Sequence, residues 1–332
     1  VLSNALTGRS HRSVECKARL KEAIDKSKDI LKLPDDYLLG IMPGSNTGAL
    51  EAAMWCLLGK TGVDILAWEN FGKDWVIDAI SELKLDNLNI HEEDYGKLPD
   101  LSKVNFDNDV IFTWNGTTSM PIDYNKCDVI TWSWQKILGG EAAHGMIAIS
   151  PRVVERLESF TPSWPVPKLF RLAENKKLIK GIFEGNTINT PSMICVEDII
   201  DSLNWVSSQG GLNSLISKSQ NSLQKIREWI NERDWVTFLS EIEDDNYISN
   251  TGITFKIIED WFTNKDESGQ RAVMADICKL LSENNVGFDC NGYPKAPPSF
   301  RIWAGGTVQT SDVELVLPWI DWAYSEIKSK HA

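Results

Sequence analysis

A layered α/β fold built on a mainly parallel sheet, followed by a smaller α+β unit, is what this 332-residue sequence predicts. Three observations carry the expectation. Short apolar runs alternate with segments of helical periodicity through the first part of the chain, the pattern of strands joined by crossover helices. A glycine-rich turn, Gly44-Ser45-Asn46-Thr47-Gly48, opens one of those helical segments. The pair Gly210-Gly211 then separates this alternation from a stretch in which longer helices mix with a few strands.

Taken in order, 15–31 has helical periodicity, and 50–58 is an apolar helix begun by the glycine-rich turn. The run 63–68 reads as a strand, 75–83 as a helix, 110–114 as a buried strand, 129–134 as another and 145–150 as a further one. A helix over 195–206 closes the first unit. Beyond Gly210-Gly211, helices over 212–233, 270–284 and 311–328 mix with strands over 251–257 and 300–304. The division predicted is a large domain over 1–208 and a small C-terminal domain over 209–332. No internal repeat or low-complexity tract interrupts it.

One join does not fit. Fewer than 15 residues separate the strand ending at Trp114 from the one starting at Val129, and Thr117-Thr118-Ser119-Met120-Pro121 among them has no helical pattern. A parallel crossover needs about a dozen residues or more and normally contains a helix. The chain also opens abruptly at Val1. Both observations predict a longer natural chain, with a segment absent near Ser119-Met120.

Composition narrows the function. With 42% hydrophobic and 24% charged residues, the chain can bury the core of one large or two average domains. A net charge of -13 argues against a nucleic-acid or anionic-membrane surface, since such partners call for a basic face. Any anionic ligand must be held by a few local cations. Cys16, Cys56, Cys127, Cys195, Cys278 and Cys290 form no CxxC pair and no zinc-like spacing with the four histidines, so they read as reduced thiols of a cytoplasmic protein. No run approaches 18 uninterrupted apolar residues, and 1–13 lacks the apolar core of a signal peptide.

The chemistry centres on Lys136, within Thr131-Trp132-Ser133-Trp134-Gln135-Lys136-Ile137-Leu138-Gly139-Gly140. A lysine delivered from the end of an apolar strand between bulky aromatics is a candidate for desolvation, and a neutral amine can attack a carbonyl to form a Schiff base. The alternative is a structural lysine whose ammonium snorkels to water. The 44–48 turn puts backbone N–H groups where a phosphate would be favoured, although Asn46 or Thr47 could equally be plain helix caps. Arg301, inside the apolar strand Phe300-Arg301-Ile302-Trp303, answers either a substrate carboxylate or an internal one. Ser10-His11-Arg12-Ser13 is a candidate phosphate contact or a solvated loop. Trp75 is the tryptophan best placed over an aromatic ligand, and His91-Glu92-Glu93-Asp94 reads as a solvated acidic loop. Two motif matches fail. Gly59-Lys60-Thr61 lacks the upstream glycine of a P-loop, because Met54 stands there. Ser133-Trp134-Gln135-Lys136 with Lys60-Thr61-Gly62 has the motifs of penicillin-recognising serine enzymes in reversed order.

Together these residues resemble the phosphoserine aminotransferases, class V members of the fold-type-I pyridoxal-phosphate enzymes, in the branch typified by alphaproteobacterial and Methanosarcina-type sequences. The resemblance runs through Ser10-His11-Arg12-Ser13, 44–51, Trp114-Asn115-Gly116-Thr117-Thr118, Trp134-Gln135-Lys136-Ile137-Leu138-Gly139-Gly140-Glu141, Glu184-Gly185-Asn186-Thr187-Ile188-Asn189-Thr190-Pro191-Ser192 and Phe300-Arg301-Ile302-Trp303. It implies a seven-stranded, mainly parallel sheet in the large domain, and a homodimer with shared active sites. Lys136 would bind pyridoxal 5′-phosphate covalently. Gln135, Asn46 and Thr47 would hold the cofactor phosphate, Trp75 its ring, and Thr117 would hydrogen-bond it. Asn189 and Thr190 would reach the phosphate from the other subunit. Arg301 would take the substrate α-carboxylate, and His11 with Arg12 the substrate phosphate. The implied reaction exchanges the amino group between glutamate/2-oxoglutarate and phosphoserine/3-phosphohydroxypyruvate.

Two departures stand out. The aspartate that pairs with the pyridine nitrogen in this family is expected between Thr118 and Val129, where Asp123 and Asp128 are in the wrong context. The stretch 293–299 replaces a His-Arg pair of the better-known bacterial branch and leaves Lys295 as a substitute phosphate ligand. Rival readings are another class V enzyme, of alanine–glyoxylate aminotransferase or cysteine desulfurase type, and a non-enzymatic pyridoxal-phosphate-binding regulator. Neither Cys195 nor Cys290 has the context of a desulfurase loop, and no DNA-binding module is attached.

Overall fold

The computed structural model describes residues 3, 5–6, 8–114, 126–242, 244 and 248–331. The first unit opens with α1 (Val14–Leu31), capped by the Ser13 side chain, which accepts from the Cys16 N–H. It continues with β1 (Leu38–Pro43), α2 (Ser45–Leu57), β2 (Val63–Ala67), α3 (Asn70–Ser81), β3 (Leu88–Glu92) and β4 (Asp109–Phe112). After the join come β5 (Val129–Ser133), β6 (His144–Ile149), α4 (Pro151–Ser159), the short ribbon β7 (Ala173–Glu174) and β8 (Lys177–Leu178), and α5 (Met193–Ser208).

Among the described residues the strands of this unit, apart from the β7-β8 ribbon, form two three-stranded sheets, not one of seven. One has the order β3-β2-β4 with parallel pairs. The other has the order β1-β6-β5, with β6 antiparallel to both neighbours. The outermost strands facing the join, β4 and β5, are largely half-buried, whereas β2 and β6 are buried throughout. The join itself, with the expected break at Ser119-Met120, lies outside the described residues. Helix α2 serves both sheets: Met54 and Leu58 beyond its end pack with Val63, Ile65 and Ala67, while Ala49, Ala52, Ala53 and Cys56 pack with Ile147 and Ile149. That near-continuous apolarity explains why 50–58 reads so clearly as helix.

The second unit comprises α6 (Gly211–Asn231), β9 (Val236–Phe238), β10 (Gly252–Ile257), α7 (Asp260–Thr263), α8 (Glu267–Glu283), β11 (Phe300–Trp303) and α9 (Thr310–His331). Its antiparallel sheet, order β11-β10-β9, alternates buried and half-buried positions, the signature of a sheet covered on one face. Helices α6, α8 and α9 supply that cover through a core around Phe255, Phe300, Met274 and Ile320. Its residues run from Leu223 to Ile327, and the cores of the first unit lie between Cys16 and Leu203. Between them the chain turns at Gly210 and Gly211, both in the left-handed region.

Two elements depart from the sequence expectation. Helix α4 is strongly amphipathic, capped by Ser150, and carries only Val153 and Leu157 as buried residues, too few to stand out. Strand β3 has no fully buried residue and is mostly exposed. It includes His91 and Glu92, so that acidic cluster begins in a strand and not in a loop. His91 Nε2 lies 2.6 Å from Oδ1 of Asp64, a fully buried carboxylate on β2.

Candidate active site

In the β1-β6-β5 sheet, the C-terminal ends of β1 and β5 and the N-terminal end of β6 share one edge, because Pro43 pairs with His144 and Ser133 with Gly145. Helices α2 and α3 each start just after a strand end, α2 after β1 and α3 after β2. Open α/β sheets hold ligands at such an edge.

The start of α2 is built to leave its amides free. Its N-cap is Gly44, in the left-handed region at φ 78°, and no side chain caps it. Ser45 also has positive φ, at 56°. Neither Asn46 nor Thr47 acts as a cap, so the plain-cap alternative is overturned; both lie in the first turn with backbone donors unshielded. Glycine is required twice here: a Cβ on Gly48 would lie 2.0 Å from the Pro43 carbonyl oxygen, and one on Gly145 would lie 2.0 Å from that of Ser45. Helix start, β1 and β6 are thus in backbone contact.

Lys136 is not the last residue of a strand. Strand β5 ends at Ser133, and Trp134, 1% exposed, anchors a turn closed by Gly140 N–H donating to the Trp134 carbonyl at 3.0 Å and Gly139 N–H to that of Lys136 at 3.1 Å. The Lys136 side chain is exposed, so the expected desolvation is not a property of the protomer's own packing.

On that turn, and on the start of α2 packed beside β5, are buried polar atoms with no hydrogen-bond partner among the described residues: Ser133 Oγ, Trp134 Nε1, Gln135 Oε1 and Asn46 Oδ1; Thr113 Oγ1, just past β4, is another. Buried polar atoms are nearly always paired, and leaving one unpaired costs about 1–3 kcal/mol. The four on the Lys136 turn and the uncapped helix start fit a polar ligand carrying an anionic group. Thr113 was not anticipated, and Ser133 entered only through the rejected S-x-x-K match.

The second unit closes in on this edge. A Cβ on Gly139 would lie 3.7 Å from Thr307 Cγ2, shortly after β11. Arg301, on β11, meets no carboxylate within ion-pair distance among the described residues, so an internal salt bridge does not account for it. Its guanidinium carbon lies 4.5 Å from the Tyr293 ring centroid, its Nη1 donates to Tyr293 Oη at 3.4 Å, and its buried Nε has no partner. Tyr293 in turn packs edge-on against Phe71, in the first turn of α3, at 5.8 Å. Trp75 follows one turn later, half-buried, within the helix and not at its start. Lys295 pairs with Asp74 at 3.2 Å in solvent, which already satisfies it.

Other predicted residues are not brought to this edge by the contacts of the protomer. Arg12 Nε lies 3.5 Å from His11 Nε2, and the pair sits in the turn before α1. Asn189 and Thr190 are exposed on the segment before α5. Thr117 and Asp123 lie outside the described residues. Asp128 is at the opposite end of β5, where it accepts from Ser150 Oγ at 2.6 Å and Arg152 Nε at 2.7 Å, a structural role. Lys60-Thr61-Gly62 also precedes the far end of β2, with Thr61 Oγ1 on Asp109, which removes the serine-enzyme reading. Cys195 lies within α5, its N–H donating to Ser192 Oγ.

This fold, with an uncapped helix start and a turn-borne lysine on one sheet edge, defines a fold-type-I pyridoxal-phosphate-dependent aminotransferase. No family model matches the chain. Named phosphoserine aminotransferases from Methanosarcina barkeri and Methanosarcina mazei are 45% and 44% identical to it, over 97% and 98% of this chain and 91% and 93% of theirs. The chain belongs to the phosphoserine aminotransferases. Its fold is shared with solved phosphoserine aminotransferases from Cytophaga hutchinsonii (TM-score 0.76, 17% identity, 95% of this chain and 91% of that one) and, with pyridoxal phosphate bound, Trichomonas vaginalis (0.74, 15%, 95% and 90%).

Proposed function

We propose that the chain exchanges the amino group between L-glutamate and 3-phosphohydroxypyruvate, giving 2-oxoglutarate and O-phospho-L-serine, with pyridoxal 5′-phosphate as cofactor. The observation that carries the site is the set of unpaired buried polar atoms on the Lys136 turn and the start of α2. When bound, the cofactor supplies an electron sink for the substrate Cα. The chain's own residues supply the rest. Asn46, Thr47, Gln135 and the free amides of α2 hold the cofactor phosphate, and Trp75 covers the ring. Thr117, beyond the described residues, is carried by the resemblance alone. Arg301, with no internal carboxylate described, is available to take the substrate α-carboxylate bidentately. His11 and Arg12 meet the substrate phosphate. Lys136 Nζ is the base for the Cα proton, and the turn's glycines let it move between positions.

The exposure of Asn189 and Thr190 supports a homodimer in which they complete the partner subunit's phosphate site. The separate cores support a division into 1–208 and 209–332, and the buried thiols Cys16, Cys56 and Cys290, outside any disulfide, a cytoplasmic setting. No helix among the described residues is long and apolar enough to cross a membrane. The half-buried strands β4 and β5 support a missing strand between them, which would also carry the carboxylate expected at the pyridine nitrogen.

The test is single-turnover absorbance of the cofactor-loaded protein mixed separately with phosphoserine, serine, alanine and glutamate. Phosphoserine and glutamate are expected to convert the cofactor to its amine form. Faster conversion by alanine or serine would assign the chain another amino donor.

A further inference from the structure

His144 has no place in the reaction described above, yet it touches each part of the site. It is 5% exposed at the first position of β6, paired across the sheet with Pro43 and bridged to Ser45 at the start of α2. Its ring stands edge-on to Trp134, the anchor of the lysine turn, at 5.0 Å. Its Nε2 accepts a hydrogen bond from the Ser192 N–H at 3.1 Å. That acceptor is available at neutral pH, since burial holds the imidazole at about 4, well below its ordinary value, and the accepting role puts the ring proton on Nδ1.

Ser192 is where the exposed segment bearing Asn189 and Thr190 is fastened. It follows Pro191, which has no N–H, and is the N-cap of α5, its hydroxyl accepting from the Cys195 N–H. Within the segment, Thr187 Oγ1 donates to the Asn189 carbonyl, a local bond that holds nothing to the sheet. The His144–Ser192 bond ties the segment to β6.

We propose that His144 is a positioning residue that holds in one register the α2 start and the Lys136 turn of its own cofactor-phosphate site and, through Ser192, the arm whose Asn189 and Thr190 serve that of the partner subunit. This rests on the reading of the site given above. It acts through the neutral imidazole as a hydrogen-bond acceptor and through the ring face against Trp134.

The experiment compares His144→Phe, which keeps a ring and loses the acceptor, with His144→Gln, whose amide oxygen can accept near the position of Nε2. His144→Leu, close to histidine in volume and without an acceptor, replaces the Phe variant if that does not fold. Amide hydrogen exchange over 186–196 is measured without cofactor, and pyridoxal-phosphate affinity is measured separately by fluorescence. With the acceptor gone, exchange at Ser192 and the adjoining arm should quicken roughly 5- to 150-fold, as expected for a buried donor left unpaired. Cofactor affinity should fall, and His144→Gln should restore both toward wild type. Exchange unchanged in His144→Phe would overturn the anchoring role. Faster exchange with unchanged affinity, or equal loss of affinity in the Gln and Phe variants, would overturn the positioning role. A wild-type protein that takes up no pyridoxal phosphate would instead overturn the reading of the site, and the exchange arm would still decide whether His144 fastens the arm.

Discussion

Lys136 was legible in the sequence through its neighbours, but its setting was not. The aromatic residues that seemed to promise burial are spent on anchoring the turn, with Trp134 1% exposed, and the amine itself faces solvent. A turn closed by two backbone hydrogen bonds is a local arrangement that a strand-like apolar run does not announce. Lys136→Ala is expected to abolish turnover and the visible absorbance of protein-linked cofactor, with near-ultraviolet circular dichroism unchanged. Cofactor that could still be fixed to the variant by borohydride would assign the role to another lysine. Arg12 is the second test at this scale. An acidic chain handling a dianionic phosphate needs local cations, and a charge-assisted contact is worth about 1.5–3 kcal/mol. Arg12→Ala should therefore lower kcat/KM for phosphoserine roughly 10- to 150-fold. The glutamate half-reaction should suffer less, its α-carboxylate being assigned to Arg301; an equal loss in both would make Arg12 a structural or dimer-contact residue.

At the scale of elements, periodicity found the helices whose apolar faces are broad, such as α2, and missed what short or exposed elements conceal. Strand β3 was hidden because only Leu88 and Ile90 of its five residues are apolar and none is fully buried, so His91 looked like part of a solvated loop; it and Asn89 are in fact hydrogen-bonded to β2. Their partner is Asp64. It is fully buried, which by itself raises its carboxyl pKa, but bonds from Asn108, His91, Asn89 and the Asn105 N–H outweigh that and hold it at about 2. A folded-state pKa below the unfolded 3.8 gives stability that is present above about pH 4 and lost as pH falls toward 2. That pH-dependent part is worth about 2 kcal/mol. Asp64→Ala removes it and strands four donors, so the cost at neutral pH should be about 3–5 kcal/mol. Acid unfolding should also lose part of its steepness between pH 4 and 2. Chemical denaturation of wild type and variant across that range measures both, and a wild-type stability flat from pH 4 to 2 would show that Asp64 is not held ionised.

For the whole molecule, the alternation of strands and helices disclosed the α/β class and the change at Gly210-Gly211. It could not disclose how strands pair, because pairing joins residues distant in sequence. The short join after Trp114 was the one topological irregularity visible beforehand. Among the described residues the strands on either side of it, β4 and β5, belong to two different three-stranded sheets and are only half-buried, with Phe112 43% and Trp114 44% exposed. The alignment with the Methanosarcina barkeri sequence is longer than the matched part of this chain. That alignment runs over 349 positions, whereas 97% of this chain is about 322 residues, so about 27 positions face a gap in this chain. A segment of that size accommodates a strand of 5–6 residues and its connections. Covering the exposed parts of Phe112 and Trp114, roughly 160 Å² at about 25 cal/mol per Å², would contribute about 4 kcal/mol before the cost of ordering the new strand. Grafting the Methanosarcina barkeri segment that lies between the counterparts of Trp114 and Val129 should therefore raise the apparent Tm by at least about 5 °C. It should also tighten pyridoxal-phosphate binding, by restoring a strand between the Thr113 and Ser133 ends. A graft that lowered the Tm, or left cofactor affinity as it was, would mean that the short join is native to this chain and that β4 and β5 are true sheet edges.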